Sequence, residues 1–498
     1  MASRTRDAQP HVLRRAGLPG GALIFVGMLL APAPPGLTDD GWHTAAVALL
    51  MAIWWVTEAV AIPVTALLQL VLFPALGVLS ASEAAAPYAN ELIFLFMGGF
   101  FLAVAMQHWG LHRRIALGIL SRVGTGPERV VLGFMLATAF LSMWISNTAT
   151  AAMMLPIGIA VAGLFGADQE GGDGGGRSLG IALMLGIAYG ASIGGVATLI
   201  GTPPNAVFAG AADELLGIQI GFTQWMAVGV PVAVVMLPLT WLLLVKILHP
   251  PGDLRGDAAE VLERERRSLG PRSRGETIVA VVFALTALAW VLRAPKDFGF
   301  FTMPGLQTWL PELRDSTIAM AGALALFLIP VERRHRRFAL EWSQARTIPW
   351  GVLVLFGGGL SLARGMDRSG LAAWIGGAVA SLGDVPPVLL FGAVAFLFVF
   401  LTEVTSNTAT ATMAMPVMVG VAAALALAPI PLMATAAMAA SMAFMLPVAT
   451  PPNAIVFGSD LLTIPLMARA GFILNLLSVA VVTAAATLLV PLILGALS

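Results

Sequence analysis

Four short polar clusters interrupt an otherwise apolar chain, and they fall into two matched pairs. Ser146-Asn147-Thr148-Ala149-Thr150 recurs as Ser406-Asn407-Thr408-Ala409-Thr410, and Gly201-Thr202-Pro203-Pro204-Asn205 has its counterpart in Ala449-Thr450-Pro451-Pro452-Asn453. Ser and Asn are favoured N-cap residues. Each Ser-Asn-Thr cluster therefore predicts the start of a helix whose free N–H groups and positive dipole end point at the cluster. Such an end holds an anion without a charged side chain. The helix running into the cluster stops there with free carbonyls, which suit a sodium ion. The Pro-Pro pairs remove two successive N–H donors and restrain the residue before them, so the later helices unwind and free more carbonyls. Asn205 and Asn453 are placed to cap the half-helices that continue. Ser, Thr and Asn also act as plain glue between membrane helices. Four clusters in two-fold register, each at a broken helix, point instead to a binding site between two repeats.

The elements that carry these clusters are membrane helices. The chain has 498 residues, of which 58% are hydrophobic and 11% charged, against about 25% charged in a soluble domain. Apolar runs long enough to cross a bilayer recur throughout. They place spans at 18–36, 43–62, 64–80 and 91–108, a hairpin at 128–164, a helix at 179–215 broken at 198–205, and a span at 227–248. The second half reads 277–293, 315–330 and 350–365, a hairpin at 386–426, a helix at 430–459 broken at 449–453, and a last span at 472–497. The fold class is all-α and polytopic, with about eleven spans. The organisation is an N-terminal segment and first span (1–42), repeat 1 (43–248), a cytoplasmic linker (249–276) and repeat 2 (277–498). The early Arg residues before the run from Leu18 to Leu30 could mimic a signal peptide; the many later spans favour an uncleaved first helix.

The repeat is visible well beyond the clusters. Leu95-Phe96-Met97-Gly98-Gly99 matches Leu355-Phe356-Gly357-Gly358-Gly359, Gly110-Leu111 matches Gly370-Leu371, and Pro156 matches Pro416, all at one offset. Five crossings separate residues 91 and 351, an odd number, so the second copy enters from the opposite face and the repeat is inverted. Lys and Arg set the orientation. With the N-terminus, 109–130, 165–178, 246–276, 331–347 and the turn at Arg469 placed in the cytoplasm, that side holds 22 of the 27 Lys and Arg residues. Pro250 to Glu276 reads as a solvated loop and Gly171 to Gly176 as a flexible Gly-rich one.

Charge is almost absent from the spans. Glu58 and Glu403 are the interior exceptions, and an intramembrane carboxylate is a functional candidate by default. Neither belongs to an Asp/Glu/His chain of the kind proton pumps use, and the favoured reading is a hydrogen-bonded tie to the scaffold. The six His residues lack metal-ligand spacing, and the chain has no Cys, which excludes disulfides and thiolate metal sites. A formal net charge of zero argues against a nucleic-acid partner. No nucleophile with a base or metal beside it supports an enzyme, and broken half-helices around a closed site argue against a channel.

The chain resembles the divalent anion:sodium symporter family. Both Ser-Asn-Thr clusters match it, as does the stretch from Ser441 through Phe444, Pro447 and Asn453 to Val456, and Trp54-Trp55-Val56-Thr57-Glu58 is similar to the family's early motif. The resemblance implies a homodimer, a fixed scaffold and a transport domain moving as an elevator. It implies that Asn147, Thr148, Ser406, Asn407 and Thr408 bind the substrate carboxylates, with Thr450 and Pro451 nearby. It also implies one sodium site at Ser142, Ser146, Asn147 and Gly201 and a mate at Thr402, Thr405, Asn407 and Ala449. Ser142 and Thr402 each lie one helical turn before their cluster, so both hydroxyls face the tip. Since some family members exchange anions without sodium, the two hydroxyls favour symport.

The expected activity is sodium-coupled symport of a C4 dicarboxylate such as succinate, malate or fumarate, in a bacterial inner membrane with the N-terminus cytoplasmic. The alternatives are a sodium-independent dicarboxylate exchanger, or a citrate or sulfate carrier on the same fold.

Overall fold

In a computed structural model, the structure describes residues 11–166, 174–251, 254, 258–297, 301–332, 334, 336–380 and 385–495. Residues 171–173 of the Gly-rich loop lie outside these; Gly174 already begins a helix. Among the described residues six helices are long and apolar enough to cross a membrane, and strands are confined to two short antiparallel pairs, Lys296–Asp297 with Thr302–Met303 and Pro330–Glu332 with Arg337–Phe338.

Both hairpins form where the clusters predict them. The first is Pro127–Ser142 followed by Asn147–Leu164, and the second is Pro387–Leu401 followed by Asn407–Ala424. Each opens on a proline in the first turn, where its missing N–H costs nothing. Their legs of 15 to 18 residues reach about 22 to 27 Å at about 1.5 Å per residue. That falls short of the ~30 Å apolar core, as suits hairpins whose tips stop inside. The broken helices are Gly174–Val196 with Pro203–Leu216, and Pro429–Ala439 with Pro451–Phe457.

Three details depart from the sequence reading. The second break opens at Ala440 rather than at 449, for a reason given below. The run at 64–80 is two short helices, Ile62–Thr65 and Gln69–Leu76, rather than one span. The linker contains a helix, Ala259–Ser268, in which Glu260–Arg264 and Glu263–Arg267 pair one turn apart.

The four site elements interlock crosswise. The second leg of the first hairpin packs on Pro451–Phe457 from the second repeat, and the second leg of the second hairpin packs on Pro203–Leu216 from the first. Gly174–Val196 lies along both legs of the first hairpin and is buried from Leu179 to its end. Around this body stand Glu91–His108, Arg274–Leu292, Asp315–Leu328 and Trp350–Arg368. The repeat reappears in their packing. A Cβ on Gly98 would come 2.7 Å from the Ala319 backbone, and one on its counterpart Gly358 would collide with the Ala66 carbonyl. Only a residue without a side chain lets backbones approach so closely.

Body and surround are clasped by polar contacts on one side. Arg364 pairs with Glu214 at 2.5 Å, and Asp315, itself paired with Arg293 at 2.6 Å, accepts from the Phe222 N–H at 2.8 Å.

Candidate ion and substrate site

At the first tip the chain turns between Ser142 and Asn147. The Asn147 amide lies 2.5 Å from Ser142 Oγ, 3.2 Å from the Gly201 carbonyl and 3.3 Å from the Ala191 carbonyl. With its NH2 group toward them, Asn147 donates into this cluster. With Oδ1 toward them, four oxygens converge, an arrangement that a cation satisfies. An amide can serve in either role. Gly195 makes room for it, since a Cβ there would sit 2.6 Å from Asn147 Oδ1.

The second tip repeats the geometry. Thr402 Oγ1 lies 2.7 Å from Asn407 Oδ1 and 2.9 Å from the Ala440 carbonyl. One hydroxyl proton cannot serve both acceptors, so oxygens again outnumber protons. The donor sets at both tips are hydroxyl, amide and carbonyl oxygens, the chemistry of a hard cation such as sodium. No Lys or Arg occurs between residues 130 and 176 or between 369 and 468.

The remaining predicted residues sort unevenly. Ser146 is exposed and its hydroxyl caps the helix by accepting from the Ala149 N–H, while Thr148 is exposed beside it. Ser406 starts its helix without a side-chain cap, and Thr408 is buried. The Thr405 hydroxyl is taken by the Leu401 carbonyl and by Thr410 at 2.5 Å, leaving its carbonyl as its offer to an ion. Thr450 caps Pro451–Phe457 by accepting from the Asn453 N–H; Pro451 is exposed and Ala449 buried.

Asn205 and Asn453 do not cap the half-helices that follow them. Their NH2 groups reach back to the carbonyls left free by the break, Gly195, Val196 and Thr198 for Asn205, and Ala443 and Leu446 for Asn453. Unwinding orphans acceptors before it orphans donors, and the amides satisfy the larger need.

The two carboxylates separate. Glu403 accepts from the N–H groups of Phe444, Met445 and Leu446 at 2.7, 2.9 and 3.1 Å and from Asn475 Nδ2 at 2.8 Å. These bonds replace helical ones and explain why the second break opens so early. Glu58 is not interior. It is an exposed, left-handed C-cap (φ 48°) that ends Asp39–Thr57.

Some participants carried no usable sequence signal. The Ala191 and Ala440 carbonyls belong to apolar residues in apolar runs. Tyr189, whose hydroxyl donates to the Phe444 carbonyl at 2.9 Å, could have been flagged as one of two Tyr in the chain.

Comparison with known proteins bears on this geometry. The sodium:sulfate symporter transmembrane region matches residues 20–494. The chain belongs to that family. Its members are transporters rather than enzymes. A relative from Staphylococcus saprophyticus, the sodium-dependent dicarboxylate transporter SdcS, is 43% identical over 99% of this chain and 95% of its own length. SdcS of Staphylococcus aureus is 41% identical over 96% and 92%. Among solved structures, the Alcanivorax borkumensis YdaH transporter covers 97% of both chains at 16% identity and a TM-score of 0.49, a likeness too remote to argue from. The symporter resemblance read from the Ser-Asn-Thr and Thr-Pro-Pro-Asn clusters is thus confirmed at the level of the family.

Proposed function

We propose that this symporter carries C4 dicarboxylates such as succinate, malate and fumarate across the bacterial plasma membrane, driven by sodium entry. The observation that carries the proposal is the pair of oxygen-rich clusters at Asn147 and Asn407, set at two helix N-termini within stretches, 130–176 and 370–468, that hold no Lys or Arg. The sodium-dependent dicarboxylate relatives support the same reading.

Charge balance makes the ions necessary. Each helix N-terminus supplies about half a positive charge, so two ends leave a dianion about half neutralised. One sodium at each cluster supplies more than the remaining charge and leaves the loaded site about one charge positive. Ser142, Ser146, Asn147 and Gly201 hold one, with the Ala191 carbonyl beside them; Thr402, Thr405, Asn407 and Ala449 hold the other, with the Ala440 carbonyl. Asn147 and Asn407 then turn Oδ1 to the ion and NH2 to a carboxylate. Thr148, Ser406 and Thr408 complete the substrate contacts, with Thr450 and Pro451 at the edge. The body carrying both tips moves as an elevator against the surrounding helices of a homodimer, and the clasp from Arg364 to Glu214 and from Asp315 to Phe222 must open for it to travel. The N-terminus faces the cytoplasm.

Uptake of radiolabelled succinate into proteoliposomes tests this. A sodium gradient drives accumulation, unlabelled malate and fumarate compete, and replacement by choline abolishes it. Equal uptake in choline with succinate trapped inside would identify an exchanger instead. Competition by sulfate or citrate, but not by malate, would change the substrate.

A further inference from the structure

The two ion clusters lie on different repeats, yet one hydrogen bond ties their supporting segments together. Tyr189 sits in Gly174–Val196, two residues before Ala191, whose carbonyl faces Asn147. Its hydroxyl donates to the Phe444 carbonyl at 2.9 Å, and both residues are wholly buried. Phe444 lies in the unwound stretch 440–450, which begins at Ala440, the residue whose carbonyl contacts Thr402. The Phe444 N–H is held by Glu403, the residue after Thr402. A chain of short contacts therefore runs from the first cluster through Tyr189 and Phe444 to the second.

The link is stiff at both ends. Tyr189 is part of a buried helix, and its ring packs edge-on to that of Phe444 with centroids 5.1 Å apart. Gly471 presses on the Phe444 and Met445 backbone so closely that a Cβ would collide there. A segment clamped in this way moves as a unit instead of absorbing a shift locally. At the 248-residue spacing of the Thr-Pro-Pro-Asn clusters, the position matching Tyr189 in the second repeat is Ala437, which has no hydroxyl to make the same tie.

We propose that Tyr189 is a positioning residue that couples the two sodium clusters, so that an ion at one favours an ion at the other. The inference rests on the sodium-coupled reading above. An ion at the second cluster fixes Ala440 and with it the 440–450 segment. Phe444 then holds Tyr189, and the helix carrying Ala191 is set for the first ion. Linkage makes the effect mutual: each ion raises the other's affinity by the same factor. A purely structural role, satisfying a carbonyl that the break has orphaned, would change stability without changing how sodium sites respond to one another.

Sodium titration of succinate uptake in proteoliposomes distinguishes the two roles. Tyr189→Phe removes the hydroxyl and keeps the ring. Its Hill slope is expected to fall from about two toward about one, and half-saturating sodium to rise roughly five-fold, the equivalent of one neutral hydrogen bond. Maximal uptake at saturating sodium is retained. Phe444→Leu keeps the carbonyl and should keep the unmutated slope. An unchanged slope and half-saturation in Tyr189→Phe overturns the proposal, and so does loss of the slope in Phe444→Leu alone, which would assign coupling to ring packing. Sodium-dependent thermal stabilisation of the purified protein reads the same slope without transport. If the unmutated protein shows cooperative stabilisation but no sodium-driven uptake, the transport reading fails while the coupling survives.

Discussion

The two hairpin tips carry one peptide and sit in two different settings. At the first, Ser146 and Thr148 are exposed, and Ser146 caps its helix. At the second, Thr408 is buried where the leg packs on Pro203–Leu216 and Trp350–Arg368, and Ser406 makes no cap. The supports differ as well. Thr410 is satisfied by Thr405, but in the first repeat Ile145 stands where Thr405 does, and the buried hydroxyl of Thr150, the counterpart of Thr410, has no partner. Glu403 organises the long second break, 440–450; its counterpart is Met143, and the shorter first break, 197–202, is held by Asn205 and by Thr198 donating to the Met143 carbonyl at 2.5 Å. The two tips thus share their polar residue types, while the contacts that hold them differ.

If the tips are equivalent at the site itself, Asn147→Ala and Asn407→Ala each abolish sodium-driven uptake while the protein still elutes as a folded species. Near-normal uptake in either variant would break the equivalence. If the supports differ, Glu403→Gln is costly. Three backbone N–H groups and Asn475 lose a charged acceptor, at about 1.5–3 kcal/mol for such a bond, so thermal stability drops and uptake falls more than ten-fold. No acid-stimulated uptake should appear in the unmutated protein at fixed dianion concentration. If it does, and Glu403→Gln removes it, Glu403 carries protons. A subtler exchange tests the Thr pair. Thr405→Ile leaves Thr410 unpartnered and costs about 1–3 kcal/mol. Ile145→Thr gives Thr150 a partner and is neutral or stabilising by about 1 kcal/mol. Denaturation midpoints that move the same way for both would show that the two surroundings are not analogous.

The smallest difference lies in the helices after Gly110 and Gly370. His112 occupies the first, Leu111–Val123, outside the apolar spans, where the second has Ala372. Burial pushes the His112 ring below its ordinary range, opposed by its bond to the Met106 carbonyl and helped by Arg113. Its folded value is below the unfolded one, so its contribution is full above the unfolded value of about 6.5 and is lost as pH falls from there through the lower folded value. Melting temperature should decline slightly more between pH 7.5 and 5.5 in the unmutated protein than in His112→Gln.

Sequence reasoning reached the hairpins, both breaks and the repeat because each rests on residue types with strong local physics: caps at Ser146, paired prolines at 203–204 and 451–452, and a constant spacing. It reached Asn147 with Ser142 and Asn407 with Thr402 because one helical turn fixes their relation. It failed where the contact is distant or made by the backbone. The Ala191 and Ala440 carbonyls have no side-chain signature. The early opening of the second break depends on a carboxylate some forty residues upstream. Glu58 looked interior because its neighbours are apolar, but it stands at a helix end.

The crosswise docking of each hairpin leg on the opposite repeat has a consequence for how the protein is made. While the ribosome has produced only the first half, Asn147–Leu164 lacks the Pro451–Phe457 helix it packs against, and the first hairpin must wait in the membrane with that face uncovered. The oxygens of the first cluster, from Ser142 to Gly201, are all made in the first half, yet the packing behind their hairpin is completed only when nearly the last helix has been synthesised.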